Sequence, residues 1–246
     1  MGQTEAKVAL VMGGSRGIGA AIAKRLARDE ASVALTYLNS SAEANEVVAE
    51  IKATGQEARA YRTDSANPQA VQETVEQVVA DFGHLDIMVN NAGVGILKPL
   101  AELTLDDFDK LVATNVRSVF AGVQTAVRHM PEGGRIITIG SCNAERVPGP
   151  DMSLYAMSKS ALVGLTRGLA RELGSLGITV NLVQPGPTDT DMNPADGPFA
   201  EPQLGLLATS RFGTPDEVAG LVSYLARPES SFMTGAMLNI DGGYTA

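Results

Sequence analysis

Short apolar segments rich in β-branched residues alternate along the chain with longer amphipathic segments. The short segments are apolar at nearly every position, which is typical of strands covered on both faces of a sheet. Strands are predicted over Val8–Met12, Ser32–Tyr37, Ala58–Tyr61, Ile87–Asn90, Arg135–Ile139, Thr179–Val183 and Met237–Ile240. Apolar residues spaced by three and four predict helices over Ile18–Arg28, Ala42–Thr54, Pro68–Phe82, Leu105–His129, Leu154–Leu173 and Pro215–Leu225.

This alternation of strand and helix predicts an α/β fold, a Rossmann-type doubly wound parallel sheet of about seven strands with helices on both faces. A chain of 246 residues is within the size that such folds reach as one unit, so we expect a single domain over 1–246. The segment 189–211 breaks the pattern with three prolines, two glycines and one short apolar patch, Leu204–Leu207. It is predicted to be a mobile substrate flap.

Charge and hydropathy narrow the classes of partner. The 28 acidic and 19 basic residues give a net charge of −9, which opposes non-specific attraction to nucleic acids and anionic membranes. No apolar run reaches the roughly 18 residues of a membrane helix, and the first residues lead directly into a strand. We therefore expect no nucleic-acid partner, no membrane partner, no signal peptide and a cytoplasmic location.

The sequence contains few residues that could bind a metal or form disulfides. The chain has two histidines, His84 and His129, and one cysteine, Cys142, too few for a disulfide framework or a usual zinc site. We expect no metal. A nucleophilic role for Cys142 is rejected because no histidine lies near it in the sequence.

A glycine-rich turn, Met-Gly-Gly-Ser-Arg-Gly-Ile-Gly from Met12 to Gly19, joins the first predicted strand to the first helix. Glycines allow the backbone to approach a pyrophosphate, and the helix N-terminus offers unpaired N–H groups to it. The cofactor-binding positions predicted here are Gly13, Ser15, Arg16, Gly17, Ile18 and Gly19. A purely structural glycine turn is the alternative.

The end of the second strand bears on the choice of dinucleotide. NAD sites of this type usually place a carboxylate there for the ribose 2′-hydroxyl, but this chain has Tyr37, Asn39 and Ser40. No carboxylate repels a 2′-phosphate, and Arg16 supplies a cation, so the sequence favours NADP(H) over NAD(H). The alternative for Arg16 is an ordinary exposed loop arginine.

Tyr155 and Lys159 are one helical turn apart, so both side chains project from one face of a helix. An ammonium next to a phenol favours the phenolate and is expected to lower the pKa of Tyr155 toward the working range. Ser141, at the end of the fifth strand, is placed to donate a hydrogen bond to a carbonyl oxygen.

Together these motifs resemble the short-chain dehydrogenase/reductase family over essentially the whole chain. The resemblance also includes Asn90-Asn91-Ala92-Gly93, Asn115, Tyr155-Ala156-Met157-Ser158-Lys159 and Pro185-Gly186 with Thr188 and Thr190. It implies that Tyr155 donates the proton in reduction, that Ser141 polarises the substrate carbonyl and that Lys159 binds the nicotinamide ribose. By the same resemblance Asn115 holds a water of a proton relay. The cofactor-binding residues that it implies are Asp64 at the adenine, with Ser65 next to it in the sequence, Asn91, Ala92 and Gly93 at the adenosine ribose, and Pro185, Gly186, Thr188 and Thr190 with Tyr155 and Lys159 at the nicotinamide side.

Two functions stay open at this point. The chain resembles the 3-oxoacyl carrier-protein reductase branch, and several stretches, among them Glu145-Arg146-Val147-Pro148, look like a bacterial subgroup that contains carbonyl reductases and a cyclic-di-GMP-binding mediator of biofilm dispersal. The first hypothesis is an NADPH-dependent reductase that converts a ketone or 3-oxoacyl carbonyl to a secondary alcohol. The alternative is a non-catalytic regulator that binds cyclic-di-GMP or another nucleotide.

The sequence differs from the family pattern at two places. Met12 replaces a threonine whose hydroxyl usually braces the glycine turn, so we expect a less rigid turn, and the insert 143–153 is expected to border the substrate. The resemblance also implies a homotetramer. Small residues on two helices would permit close packing between copies, namely Ala121, Gly122, Ala161, Gly164 and Gly168.

Overall fold

The computed structural model describes residues 6–246. Residues 1–5, on which the expectation about a signal peptide partly rests, lie outside this range. The strands are β1 Val8–Met12, β2 Ser32–Tyr37, β3 Ala58–Arg62, β4 Ile87–Asn90, β5 Arg135–Ile139, β6 Thr179–Pro185 and β7 Met237–Ile240. They form one parallel sheet in the order β3-β2-β1-β4-β5-β6-β7, which confirms the predicted fold class.

Helices connect the strands. They are α1 Gly17–Arg28, α2 Ser41–Ala53, α3 Pro68–Phe82, α4 Leu105–Val112, α5 Ser118–Ala126, α6 Ser153–Leu173, α7 Ala200–Leu204 and α8 Pro215–Ala226. The prediction of one helix from Leu105 to His129 is wrong in two respects. A π-helical turn, Ala113–Arg117, separates α4 from α5, and α5 ends at Ala126.

Local chemistry fixes two of the helix starts that the prolines predicted. Pro68 follows Asn67, whose side chain accepts hydrogen bonds from the first free N–H groups of α3. Pro215 follows Thr214, which forms a reciprocal capping box with Glu217 at the start of α8. Proline costs nothing at these positions because the N–H it lacks has no partner within the helix.

The sheet is covered on both faces, as its continuous apolar strands require. Val11 of β1 belongs to a buried cluster with α1, α2 and α8, whereas its neighbour Leu10 belongs to a cluster with α3, α5 and α6. Full burial of side chains of this size stabilises a fold by about 1.5–3 kcal/mol each. Within residues 6–246, no helix has the length and apolar character needed to cross a bilayer.

The strand order determines where a ligand can bind. β1 lies between β2 and β4, so the chain leaves the neighbouring strands β1 and β4 in opposite directions. A crevice opens at such a switch point, at the carboxyl ends of the strands. The glycine turn follows β1, Asn91 follows β4 and Ser141 lies just beyond β5, so all three are brought to this edge.

Candidate active site

The glycine turn after β1 is shaped for close contact between backbones. Gly13 has φ +74° and Gly17 has φ +53°, conformations that other residues rarely adopt. A Cβ on Gly13 would lie 2.9 Å from the Cα of Ala92, and one on Gly19 would lie 2.1 Å from the carbonyl oxygen of Gly13. Glycine is therefore required at these positions by the space available.

Hydrogen bonds brace the turn without a hydroxyl at position 12. The Nδ2 of Asn91 donates to the carbonyl oxygen of Gly13 at 2.8 Å, and its backbone N–H donates to that of Met12 at 3.2 Å. The N–H of Gly13 donates to Oγ1 of Thr36 at 2.8 Å. These hydrogen bonds come from β2 and from the segment after β4, so the turn has braces that do not depend on a hydroxyl at position 12, and its expected lower rigidity stays a prediction.

The turn opens onto the N-terminus of α1, whose first turn, Gly17 to Ala20, carries no charged side chain. No carboxylate of this first turn competes with a bound anion for its unpaired N–H groups. A pyrophosphate is the ligand that such a backbone favours. Ser15 is buried in the turn and Arg16 is exposed beside it.

The predicted 2′-phosphate residues lie together at the ends of β2 and β3. Tyr37 and Ser40 are half-buried and Asn39 is exposed. The structure adds Arg62, since β3 extends one residue beyond its predicted end and pairs Arg62 with Tyr37. Nε of Arg62 donates to the carbonyl oxygen of Leu38 at 3.2 Å, which holds this exposed cation against the turn after β2.

Sequence reasoning missed Arg62 because the end of β3 was placed at Tyr61. The register of the two parallel strands would have identified it, because the last residue of β3 pairs with the last residue of β2. The Arg16 guanidinium is already paired, because its Nη1 lies 3.9 Å from a carboxylate oxygen of Asp191 of the flap in an exposed ion pair.

Asp64, predicted to meet the adenine, is exposed after β3, and its Oδ1 accepts the N–H of Ala66 at 2.9 Å.

Tyr155 and Lys159 lie on the first turns of α6, as predicted. Lys159 is buried, and its Nζ donates to the carbonyl oxygen of Ile139 at 3.2 Å and lies 5.9 Å from the centroid of the Tyr155 ring. Burial lowers the pKa of Lys159 to about 8. The lysine is thus the most strongly desolvated cation of the predicted site.

The expected lowering of the Tyr155 pKa by Lys159 is not what the structure shows. Burial raises the pKa of Tyr155 above its ordinary value, and a hydrogen bond with Ser141 opposes that rise. The ammonium lies 5.9 Å from the centroid of the phenol ring, and the described residues include no hydrogen bond between Lys159 and the Tyr155 hydroxyl. A phenol that keeps its proton at neutral pH suits a proton donor.

Ser141 caps the short 3₁₀ turn Cys142–Ala144 just beyond β5. Its Oγ accepts the backbone N–H of Asn143 at 3.2 Å. That contact occupies one acceptor position of the serine hydroxyl, so the hydroxyl proton is left free to donate to a neighbouring group such as the phenol or a substrate oxygen.

Asn115 sits in the π-helical turn between α4 and α5 and is fully buried. Its Oδ1 accepts the N–H of Val94 at 2.9 Å, and its Nδ2 donates to the carbonyl oxygen of Val94 and to Oγ of Ser158. A π turn is a common feature of functional sites. Here it brings Asn115 inward, where it joins the segment after β4 to the helix that carries Tyr155 and Lys159.

Gly93 leaves open the space between these groups. A Cβ at Gly93 would lie 3.4 Å from Oδ1 of Asn115 and 3.5 Å from Nζ of Lys159. This cradle joins Gly93, which the resemblance places at the adenosine ribose, to Lys159, which it places at the nicotinamide ribose, and its polar lining fits a hydroxylated group of small size. The residues present thus fit the predicted dinucleotide at its phosphate end and at its ribose end.

The segment after β6 forms the opposite wall. The N–H of Gly186 donates to the carbonyl oxygen of Ile240 at 3.0 Å, and Oγ1 of Thr188 donates to that of Gly186 at 3.0 Å. A Cβ on Gly17 would lie 3.4 Å from Cγ2 of Thr190, so the start of the flap touches the glycine turn. Pro185 is buried at the end of β6.

The flap divides into an exposed part and a packed part. Met192 and Phe199 are 67% and 68% exposed. Leu207 is buried in a small cluster with Cys142, Phe212 and Tyr244, and Leu204 and Leu206 pack against that cluster.

The structure places neither a reactive thiol nor a metal cluster at this site. Burial raises the pKa of the Cys142 thiol to about 12. Within residues 6–246, no group of three His, Cys, Asp or Glu side chains is close enough together to hold a metal ion.

Comparison with known proteins identifies this arrangement. A family model described as enoyl-(acyl carrier protein) reductase matches residues 13–245. The chain is 55% identical to a short-chain dehydrogenase from Burkholderia cenocepacia J2315 in complex with NADP, with 98% of each chain covered and a TM-score of 0.97. The chain belongs to the short-chain dehydrogenase/reductase family. The family predicted from the motifs is thereby confirmed.

Two further relatives of this short-chain dehydrogenase/reductase bear on its function. A blue fluorescent protein from a metagenomic library, in complex with NADPH, is 51% identical over 98% of both chains with a TM-score of 0.96. The cyclic-di-GMP-binding biofilm dispersal mediator protein of Escherichia coli (strain K12) is 49% identical over the full length of both proteins. NADP or NADPH in the solved relatives agrees with the cofactor predicted from the end of β2.

Proposed function

We propose that the protein is an NADPH-dependent oxidoreductase that reduces a ketone or 3-oxoacyl carbonyl to a secondary alcohol. One observation carries the proposal: Ser141, Tyr155 and Lys159 lie together at the sheet edge that bears the glycine turn. Asn115 is hydrogen-bonded to Ser158 of the same helix as Tyr155 and Lys159. NADPH, when bound, supplies the hydride.

The chain's own residues supply orientation and the proton. Ser141 Oγ donates to the substrate oxygen, and Tyr155 gives its proton to the same oxygen as negative charge develops there. Lys159, whose Nζ lies beside the cradle at Gly93, would hold the nicotinamide ribose. Asn115 fixes the backbone of Val94 that forms one side of this cradle, and its part in a water relay stays a prediction.

Selection of NADPH over NADH rests on the ends of β2 and β3. Arg62 and Arg16 would neutralise the 2′-phosphate, and Asn39 and Ser40 would donate hydrogen bonds to it. The NADP and NADPH complexes of the relatives support this choice.

Cytoplasmic location and assembly as a homotetramer are part of the same proposal. Phe120 on α5 is 48% exposed and Leu105 on α4 is 81% exposed, apolar surface that a second copy would cover. Sedimentation at micromolar concentration tests the tetramer, and a monomer there would contradict it.

Turnover with purified substrates tests the activity. We expect NADPH to be consumed with a 3-oxo ester or an aryl ketone, with one alcohol formed per NADPH, and NADH to be used more slowly. Chromatography of the product separates reduction from cofactor decay. No alcohol from any ketone of either class, with NADPH bound, would refute the reductase.

A nucleotide-binding regulator is the second candidate, favoured by the 49% identity to the cyclic-di-GMP-binding biofilm dispersal mediator protein of Escherichia coli. A crevice that accepts a dinucleotide would accommodate cyclic-di-GMP by the same backbone contacts. Competition measured by NADPH fluorescence distinguishes the two. Displacement of NADPH by micromolar cyclic-di-GMP without any ketone turnover would favour the regulator.

A further inference from the structure

We propose that Tyr244, near the C-terminus, is a positioning residue for Ser141 and acts through Asn143. The inference rests on the proposed reductase function. Tyr244 is 3% exposed, and its hydroxyl donates to Oδ1 of Asn143 at 3.2 Å. A buried phenol from a remote segment thus fixes the second residue after Ser141.

The second step joins Asn143 to the reacting group. The backbone N–H of Asn143 donates to Oγ of Ser141 at 3.2 Å, and that contact occupies one acceptor position of the hydroxyl and limits the directions left to its proton. If the Asn143 side chain is released, the turn Cys142–Ala144 is free to shift and the proton of Ser141 loses its fixed direction. Misdirection of a donor by a fraction of an ångström is enough to slow a reaction.

The C-terminal segment is itself held in place beside this turn. Arg146 donates from Nη1 to the carbonyl oxygen of Tyr244, and its guanidinium lies 5.7 Å from the centroid of the Tyr244 ring. Glu145 accepts Nε2 of Gln184 at 2.7 Å and Nδ2 of Asn239 at 2.9 Å. All four contacts involve Glu145 or Arg146, the two residues that directly follow the Ser141 turn, so the C-terminal segment and the turn form one unit.

The same segment also contacts the flap. The N–H of Thr209 donates to the carbonyl oxygen of Gly242 at 3.1 Å, and the Tyr244 ring packs with Leu207 and Cys142. The phenol therefore lies where the flap, the Ser141 turn and the C-terminal segment meet. The Tyr244 hydroxyl is linked to Ser141 through Asn143, and packing of the ring against Leu207 and Cys142 does not provide that link.

Tyr244→Phe tests the inference because it keeps the ring and deletes only the hydroxyl. With the ketone that the wild type reduces, we expect kcat to fall about ten-fold, and the dissociation constant of NADPH to stay within about two-fold. Tyr224→Phe, an exposed tyrosine on α8, is the matched control and should leave both values unchanged. Melting temperature confirms that each variant is folded.

A double-mutant cycle with Asn143→Ala reports whether the effect passes through Asn143. We expect Tyr244→Phe to add less than two-fold to the loss caused by Asn143→Ala. A full ten-fold loss in both backgrounds, or an unchanged kcat in Tyr244→Phe alone, would overturn the inference. Absence of turnover in the wild type would overturn the proposed function together with this role, whereas wild-type turnover with a silent Tyr244→Phe overturns this role alone.

Discussion

Replacing Lys159 with methionine is expected to stabilise the cofactor-free protein at neutral pH while removing its activity. The ammonium of Lys159 is buried, and its Nζ donates to the carbonyl oxygen of Ile139 at 3.2 Å. Burial lowers its pKa from 10.5 to about 8, so the folded protein disfavours the charged form that the unfolded chain carries freely. Methionine has a similar length and no charge.

The size of the effect follows from that pKa. The difference between 10.5 and about 8 corresponds to a penalty of about 3 kcal/mol, which is fully present below pH 8, where both states are protonated. Between pH 8 and 10.5 the unfolded chain binds more protons than the folded one, so wild-type stability rises with pH. Loss of the hydrogen bond to Ile139 costs the variant about 1 kcal/mol at every pH.

The net expectation is a gain of about 2 kcal/mol at pH 7 that changes to a loss of about 1 kcal/mol by pH 10.5. Urea unfolding followed by circular dichroism at several pH values measures it. Lys110→Met, at an exposed position of α4, is the control and should show no such crossover. A difference between Lys159→Met and wild type that is constant with pH would refute the reasoning, because the effect would then not come from ionisation.

Three further predictions concern the crevice. Gly19→Ala places a Cβ 2.1 Å from the Gly13 oxygen and should weaken NADPH binding at least ten-fold by fluorescence titration, whereas Gly220→Ala, whose Cβ meets only an arginine side chain at 3.9 Å, should leave binding unchanged. Arg62→Gln should raise KM for NADPH about ten-fold and leave KM for NADH within two-fold; equal effects on both would remove Arg62 from the 2′-phosphate site. Cys142→Ala should retain kcat within about two-fold, and a loss above 100-fold would show that the rejected nucleophile acts after all.

The strands and the crevice were predictable because their signals are local. Continuous apolar runs marked β1, β4 and β5, and each predicted phosphate-loop residue lies at the carboxyl edge of the sheet because the parallel order leaves no other place for it. The spacing of Tyr155 and Lys159 likewise predicts one helical face, and α6 provides it.

Features that depend on distant contacts were not predictable in the same way. The π-helical turn between α4 and α5 contains Asn115, whose partners Val94 and Ser158 are remote in sequence, and helical periodicity carries no information about them. Arg62 required knowledge of strand register. The pKa of Tyr155 was expected to fall from the spacing to Lys159 alone, whereas burial of the phenol raises it and a hydrogen bond with Ser141 only partly opposes that rise.

The role of Tyr155 tests the central claim most directly. Tyr155→Phe keeps the half-buried ring and removes the proton that reduction requires, so kcat for a ketone should fall by at least 100-fold while NADPH still binds. The measurement is alcohol formed in a single turnover, with enzyme in excess over NADPH, by the wild type and the variant. Equal yields and rates in the two proteins would contradict the account, because hydride transfer would then proceed without the phenol.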